Sequence, residues 1–273
     1  MNTSTIAPRG ASPAPNSTPA VSVRDTSVTF SSQRGTVTAL SGANLEVEQG
    51  EFVTIVGPSG CGKSTLLKLV SGLGGYSSGT VEINGDPISG PRQDIGFVFQ
   101  RPALLEWRNV RQNIMLQAEM RGIDMRRASA RCDELIEMVG LADFENSLPH
   151  ELSGGMQQRV ALCRALLHEP AILLMDEPLG ALDALTREKM NVELNNIWRA
   201  TGTTVLFVTH SVAEAVYLAN RVVVMSPRPG RIVEILDVDL PDDRDYAETM
   251  EDAAFHRVAN RVRDLLGTNT AQE

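Results

Sequence analysis

A glycine-rich loop between two regular segments is the feature that most constrains this chain. Residues 52–56 form the compact, β-branched run FVTIV, which is typical of a buried central strand. The loop at 57–64, GPSGCGKS, fits the pattern G-x-x-x-x-G-K-[ST], and residues 64–72 then favour a helix. The glycines let the backbone wrap an anion without Cβ clashes, and successive N–H groups face it together with the helix N-terminus. A strand, this loop and a helix in that order predict a phosphate-binding site.

The residue types in the loop indicate which part of a nucleotide each would meet. Lys63 is placed to neutralise the β- and γ-phosphates, the Ser64 hydroxyl to bind Mg²⁺, and Thr65 to donate to the α-phosphate. The alternative is a glycine-rich turn with a solvated lysine, which the strand–loop–helix context disfavours. The nucleotide-binding residues expected here are Gly57, Pro58, Ser59, Gly60, Cys61, Gly62, Lys63, Ser64 and Thr65.

Two carboxylates end a second apolar segment. The run ILLM at 172–175 predicts a buried strand, and Asp176 and Glu177 follow it. Ligands of open α/β sheets bind at such strand ends. Asp176 is expected to hold Mg²⁺ through its water shell, and Glu177 to act on the attacking water as a general base or to position it. Alone, the pair is equally compatible with two solvated acids; beside the phosphate loop it predicts hydrolysis.

A third segment, LSGGMQQR at 152–159, predicts a second anion site. Ser153 is a favourable N-cap residue, and Gly154 and Gly155 leave the N-terminus of the following helix uncovered. One chain cannot easily fold both sites onto one phosphate. A head-to-tail dimer can.

Hydrophobic periodicity divides the chain into three parts. Residues 1–20 are rich in Ser, Thr, Pro and Ala and predict a disordered tail. Strands and helices alternate over 21–240, which predicts an α/β fold with a mainly parallel sheet, interrupted by a helical subdomain at about 102–160. Residues 241–273 predict a C-terminal helix, at 252–266, and a tail.

Composition excludes several classes of protein. Acidic residues outnumber Lys and Arg, 34 against 25, so the net charge of -9 argues against a nucleic-acid partner. The 3 cysteines lack a CxxC spacing, which predicts neither a zinc site nor a disulfide framework and favours a reducing compartment. No apolar run approaches the ~20 residues that span a bilayer.

Taken together, these motifs closely resemble those of the ATP-binding subunits of ABC transporters, over about residues 21–236. The loop at 57–65 matches Walker A, 172–177 matches Walker B, and 152–157 matches the signature motif of that family. Gln100 matches the Q-loop glutamine, Ala181-Leu182-Asp183 the D-loop, and His210 the switch histidine. The resemblance implies a P-loop NTPase fold with a RecA-like, mainly parallel core, an antiparallel β subdomain and a helical subdomain.

The resemblance also implies roles, with ATP as the nucleotide and Mg²⁺ as the metal. Gln100 would contact Mg²⁺ and the attacking water, and His210 the γ-phosphate. Asp183 would connect two sites across a homodimer, and Phe30 would stack on adenine. The segment that would bind the nucleotide held by the other protomer comprises Ser153, Gly154, Gly155 and Gln157.

Two further segments are similar to one group of importers in that family. Residues 104–110, LLEWRNV, look like the LLPWRNV stretch of importer ATPases for nitrate, sulfonates and taurine, with Glu106 in place of Pro, and 226–232, SPRPGRI, is similar too. This implies a separate membrane permease, a solute-binding protein acting indirectly, and a place at the cytoplasmic face of the inner membrane. Trp107 would then face the permease; the alternative is ordinary packing in a helical core.

Other ATPases of the same superfamily are the competing interpretations. A DNA-associated ATPase would insert a long coiled coil between Walker A and the signature motif, and no heptads occur there. A separate exporter ATPase remains an alternative. A GTPase is disfavoured because no Asn-Lys-x-Asp segment is present.

Overall fold

The computed structural model describes residues 18–32, 35–180 and 182–270. Ten strands are present in this part of the chain: β1 Val21–Ser32, β2 Gly35–Val47, β3 Phe52–Val56, β4 Ser78–Ile83, β5 Asp86–Pro87, β6 Ile95–Val98, β7 Ile172–Asp176, β8 Thr204–Val208, β9 Arg221–Met225 and β10 Ile232–Asp237. The α-helices of the same part are α1 Lys63–Val70, α2 Val110–Arg121, α3 Met125–Met138, α4 Gly154–Leu166, α5 Ala184–Thr201, α6 Val212–Leu218, α7 Tyr246–Glu251 and α8 Ala253–Thr270. The predicted tail at 1–20 lies, up to residue 17, outside the described residues.

A six-stranded sheet forms the centre of the molecule, in the order β10-β9-β3-β8-β7-β6. All its neighbouring strands run parallel except β10, which pairs antiparallel with β9. Every residue of β3 and β8 is buried, because helices or the second sheet cover both faces. The mainly parallel sheet predicted from the sequence is confirmed, and the phosphate loop leaves from its central strand.

A second, antiparallel sheet has the order β2-β1-β4-β5. Its long strand β1 is irregular near Asp25, whose φ of 45° marks a bulge between two stretches of regular pairing. Beyond the bulge, Phe30 pairs with Val37 on β2. This register places the end of the β1–β2 ribbon beside the phosphate loop.

The helices α2, α3 and α4 lie between β6 and β7 in the chain. Asn109 caps α2 in a reciprocal capping box with Gln112, and Asp124 caps α3 through two backbone N–H groups. Their buried faces, which include Ile114 and Leu135, belong to the same core as one face of the large sheet. Helix α4 packs against both α2 and β6 and so joins the helical part to the sheet.

The C-terminal part covers α6. The helix predicted at 252–266 is present as α8, which buries Phe255, Ala259 and Val262 and packs on α6 and β9. Helix α7 was not predicted, because six residues are too few to show a 3.6-residue period. The buried guanidinium of Arg244 donates to carbonyls at the end of α6, including Ala219 O at 3.0 Å. Burial lowers the pKa of Arg244 to about 10, which still leaves it charged.

His168, just after α4, makes stability depend on pH. Both ring nitrogens are buried, and burial, aided by Arg121, lowers the pKa of His168 to about 4; the backbone of Ile95 and the charge of Asp94 oppose this only in part. A histidine whose pKa falls on folding stabilises the protein above pH 6.5, and that contribution is lost as the pH falls. We expect the free energy of unfolding to fall by about 3 kcal/mol between pH 6.5 and pH 4 from this residue.

Denaturant titrations of His168→Gln across this range test the expectation. The variant should lose less stability on acidification than the wild type. His256→Gln, at an exposed histidine of α8, is the matched control, and its free energy of unfolding should change with pH as that of the wild type does. If the free energies of unfolding of wild type and His168→Gln changed equally with pH, His168 would not titrate as described.

No helix in the described part of the chain is long and apolar enough to cross a membrane.

Candidate functional site

The phosphate loop leaves β3 and enters α1 with its backbone exposed to the cavity. Gly62 precedes α1 with φ 106° and offers no side-chain cap, so the first N–H groups of the helix are free of a side-chain partner. A Cβ on Gly62 would lie 2.8 Å from Ala39 O and from Leu40 Cδ2. Glycine is therefore required here for both its conformation and its close approach to β2.

Lys63 is a buried cation. Only 4% of the residue is exposed, and its Nζ donates to Gly57 O at 2.8 Å and to Pro58 O at 3.0 Å. Within residues 18–32, 35–180 and 182–270 it forms no ion pair with a carboxylate. A buried charge without a counter-charge is costly, so the loop holds an uncompensated positive charge where an anion would be stabilised.

Ser64 and Asp176 meet across the site. The Ser64 hydroxyl donates to Asp176 Oδ1 at 2.9 Å, although the residues are 112 positions apart in the chain. Parallel pairing of β7 with β8, and of β8 with β3, brings the end of β7 to the mouth of the loop. The pair offers oxygen atoms only, which is the donor set that Mg²⁺ prefers.

Glu177 is held in an uncommon backbone conformation at the end of β7. Its φ is 50°, and its N–H donates to Val208 O at 3.0 Å. Such conformations cost free energy and tend to occur at functional sites. Its carboxylate lies 2.5 Å from His210 Nε2 and accepts from Gln100 Nε2 at 3.3 Å. Three residues predicted separately as catalytic therefore form one cluster.

A buried network supports the loop that carries His210. The Thr209 hydroxyl donates to Glu214 Oε2 at 2.5 Å, and Ser211 caps α6. Glu214 Oε1 is 3.4 Å from Arg187 Nε, on the helix that follows Asp183. Desolvation raises the pKa of Glu214, opposed by the Thr209 hydrogen bond and Arg187. These contacts hold the residues on either side of His210, Thr209 and Ser211, in place.

The phosphate loop, Glu177 and His210 line one cavity of about 410 Å³. Phe30 forms one wall, with 57% of its surface exposed and available for stacking. The predicted site residues that line the cavity are Phe30, Ser59, Gly60, Gly62, Lys63, Ser64, Thr65, Glu177 and His210. Asp176 contacts the cavity residue Ser64, and Gln100 contacts the cavity residue Glu177. The carbonyls of Gly57 and Pro58 accept from Lys63, and the loop residue Cys61 is buried.

The signature segment and the D-loop lie outside this cavity. Ser153 caps α4 by accepting from Met156 N, and Gly154 is open to solvent, with nothing near a Cβ built on it. A Cβ on Gly155 would lie 2.7 Å from Thr186 Cγ2. None of the predicted residues Ser153, Gly154, Gly155, Gln157 and Asp183 lines the cavity.

Two of those residues have structural partners within the chain. Gln157 Nε2 donates to Pro149 O at 2.9 Å, which ties α4 to the turn before it. Asp183 is the N-cap of α5 and accepts from Thr186 N at 3.0 Å. Hydrogen bonds from the side chain and then the backbone N–H of Thr186 lower the pKa of Asp183. Ala181, the first residue of the predicted D-loop, lies outside the described residues.

Three further residues line the cavity without having been predicted: Val37, Ala39 and Arg228. Val37 was open to prediction, because the antiparallel pairing of β1 with β2 places it opposite Phe30. Arg228 carries no such signal, since the β9–β10 loop reaches the phosphate loop only in the folded chain.

A phosphate loop after the central strand of a parallel sheet, with an acidic pair at the end of a second strand, defines a P-loop nucleotide hydrolase. The "ABC transporter" family model matches residues 28–180. The chain is 44% identical to the taurine import ATP-binding protein TauB of Jannaschia sp. (strain CCS1), covering 90% of this chain and 93% of that one. It is 43% identical to the aliphatic sulfonates import ATP-binding protein SsuB of Bacillus anthracis, covering 89% and 94%.

A solved structure of an ATP-binding cassette has a similar fold. The ATP-binding cassette MJ0796, a dimer in a post-hydrolysis state bound to ADP and phosphate, is 32% identical with a TM-score of 0.70, over 80% of this chain and 98% of that one. This chain belongs to the ABC transporter family, and it is an ATP-hydrolysing subunit of that family.

Proposed function

We propose that this chain drives an importer of a small sulfonated solute, such as taurine or an aliphatic sulfonate, through a separate permease. The observation that carries the proposal is the identity of 43–44% with TauB and SsuB over about nine tenths of the chain. The ATPase domain would span residues 21–240, with its helical subdomain at about 102–160. A solute-binding protein would act on the permease, and this chain would sit at the cytoplasmic face of the membrane.

The chain's own groups account for hydrolysis of a bound nucleotide. Lys63 and the loop N–H groups hold the phosphates, so the γ-phosphate is presented to the end of β7. Glu177 then accepts a proton from the attacking water, and the contacts from Gln100 and His210 keep its carboxylate oriented. Positioning and charge stabilisation supply the rate enhancement.

The chemistry of Ser64 and Asp176 fits Mg²⁺, because the hydroxyl and the carboxylate offer only oxygen atoms as ligands. No group of three or more His, Cys, Asp or Glu suited to a metal occurs in the part of the chain that the structure describes. Mg²⁺ commonly takes one or two protein ligands together with substrate phosphates. The ion would supply charge neutralisation of the phosphates, with Ser64 and Asp176 as its protein partners and Gln100 nearby.

Two copies of the chain would complete each site. Ser153 and Gly154 are exposed at the start of α4 and lie outside the chain's own cavity, so they serve a nucleotide only if a second copy presents one. The dimer of MJ0796 supports this arrangement. In it, Ser153, Gly154, Gly155 and Gln157 would close the cavity of the other copy, and Asp183 would lie between the two sites.

Trp107 marks the surface proposed for the permease. It is 75% exposed, so the alternative that it packs in a helical core is wrong. Its loop is held by hydrogen bonds to buried Asn113, which accepts from Leu105 N and donates to Leu105 O and Arg108 O. An exposed aromatic on a pre-organised loop is typical of an interface anchor.

Purification of the tagged chain from gently solubilised membranes tests the proposal. We expect a polytopic permease to accompany the wild type, and Trp107→Ala to reduce its recovery about tenfold or more, as loss of an interface anchor does. Tyr76→Ala, at an exposed aromatic in the connection between α1 and β4, is the matched control. A purely soluble or DNA-associated set of partners would refute the transporter role, and recovery unaffected by Trp107→Ala would refute this surface.

A further inference from the structure

The loop between β9 and β10 lies directly on the phosphate loop. Gly230 N donates to Ala39 O at 3.0 Å, and Gly230 O accepts from Ser41 N at 2.9 Å, which fastens this loop to β2. A Cβ built on Gly230 would lie 1.8 Å from Cys61 O. The two backbones are therefore in contact, and only glycine permits the approach.

Arg228 extends from this loop into the nucleotide cavity. Its Nε and Nη2 donate to Gly60 O at 3.2 and 3.1 Å, and it lines the same cavity as Phe30 and Lys63. A Cβ on Gly60 would lie 3.4 Å from Nη2, which places the guanidinium in van der Waals contact with the phosphate loop. Arg228 is thus held in place by a carbonyl of the loop that binds phosphate.

The charge of Arg228 is not neutralised within the described chain. Across residues 18–32, 35–180 and 182–270 it forms no ion pair, whereas other arginines, such as Arg221 with Glu51, do. Two of its five N–H donors are used on Gly60 O, which leaves three for another acceptor. An unpaired guanidinium in a cavity already containing the Lys63 ammonium favours an anionic ligand.

We infer that Arg228 is a nucleotide-binding residue that donates to the phosphate chain of the bound nucleotide. This rests on the ATP hydrolysis assigned to the same cavity. Arg228 provides a second cation beside Lys63, from an element that lies far later in the chain and is brought to the site by the backbone contacts of Gly230. Because this contact is made in the bound ground state, its loss affects KM more than kcat.

Binding of ATP and ADP to the full-length protein, measured by competition with a fluorescent nucleotide, tests the inference. Arg228→Ala should weaken both affinities about tenfold or more, as loss of a charged hydrogen bond does. Arg231→Ala is the matched control, because it removes the same charge from the same loop at an exposed side chain outside the cavity. A change for Arg228→Ala within twofold of that control would overturn the inference.

Two conservative variants separate contact with the nucleotide from support of the loop. Arg228→Lys keeps the charge, and Arg228→Gln keeps a donor for Gly60 O without charge. If Arg228→Lys partly restores nucleotide affinity and Arg228→Gln does not, the result supports contact with phosphate. If only Arg228→Gln restores affinity, the result overturns the inference. If the wild type bound neither nucleotide, the hydrolase assignment itself would fail, which is a distinct outcome.

Discussion

Replacing Glu177 by glutamine is expected to lower the rate of ATP hydrolysis by about 10²- to 10⁴-fold, the usual contribution of a general base. Glutamine matches the size of the side chain, so contacts with Gln100 and His210 can persist. It cannot accept a proton from water. Since Lys63, Ser64 and the loop N–H groups are untouched, nucleotide affinity should stay close to that of the wild type.

The matched measurements are phosphate release at saturating ATP, nucleotide binding and size-exclusion chromatography with ATP. With hydrolysis blocked, the variant should accumulate as an ATP-bound dimer. Glu248→Gln, at an exposed glutamate of α7, controls for the loss of one negative charge. Turnover near the wild-type rate would remove Glu177 from the catalytic role.

Replacing Lys63 by alanine is expected to weaken ATP binding at least about 30-fold, because losing one partner of a buried charge pair costs about 2 kcal/mol or more. Burial makes this contribution large: Lys63 is 4% exposed, and the oxygen atoms that accept from its ammonium group are the carbonyls of Gly57 and Pro58. The attraction to phosphate is therefore little screened by water.

Isothermal titration calorimetry with ATP measures this loss of affinity. Lys68→Ala is the matched control, because Lys68 lies on the exposed face of the same helix. Thermal unfolding without nucleotide shows whether each variant is folded, and only the Lys63 variant should lose the stabilisation that added ATP provides. Unchanged affinity in a folded Lys63→Ala protein would contradict the phosphate site.

Much of the site could be predicted from the sequence because its chemistry is local. The order of a β-branched strand, a glycine-rich loop and a helix specifies the cradle around Lys63 within about a dozen residues. The acidic pair after ILLM and the Ser153 cap are also short-range features, which need only neighbouring residues to form. The parallel sheet followed from the alternation of strands and helices.

Tertiary structure decided what depends on distant parts of the chain. Only the strand order β3-β8-β7-β6 brings Gln100, Glu177 and His210 into one cluster, and no local pattern encodes that order. The exposure of Trp107 was ambiguous for the same reason, since a helical lobe uses aromatic residues both inside and outside.

Arg228 is the clearest case of this limit. Its proximity to the phosphate loop depends on the β9–β10 hairpin folding back onto β2 and on Gly230 permitting backbone contact with Cys61. The sequence by itself therefore determined the nucleotide chemistry and the class of fold, because both are written in short segments whose geometry is set locally. Which side chains complete the cavity was decided by long-range packing, which only the folded chain specifies.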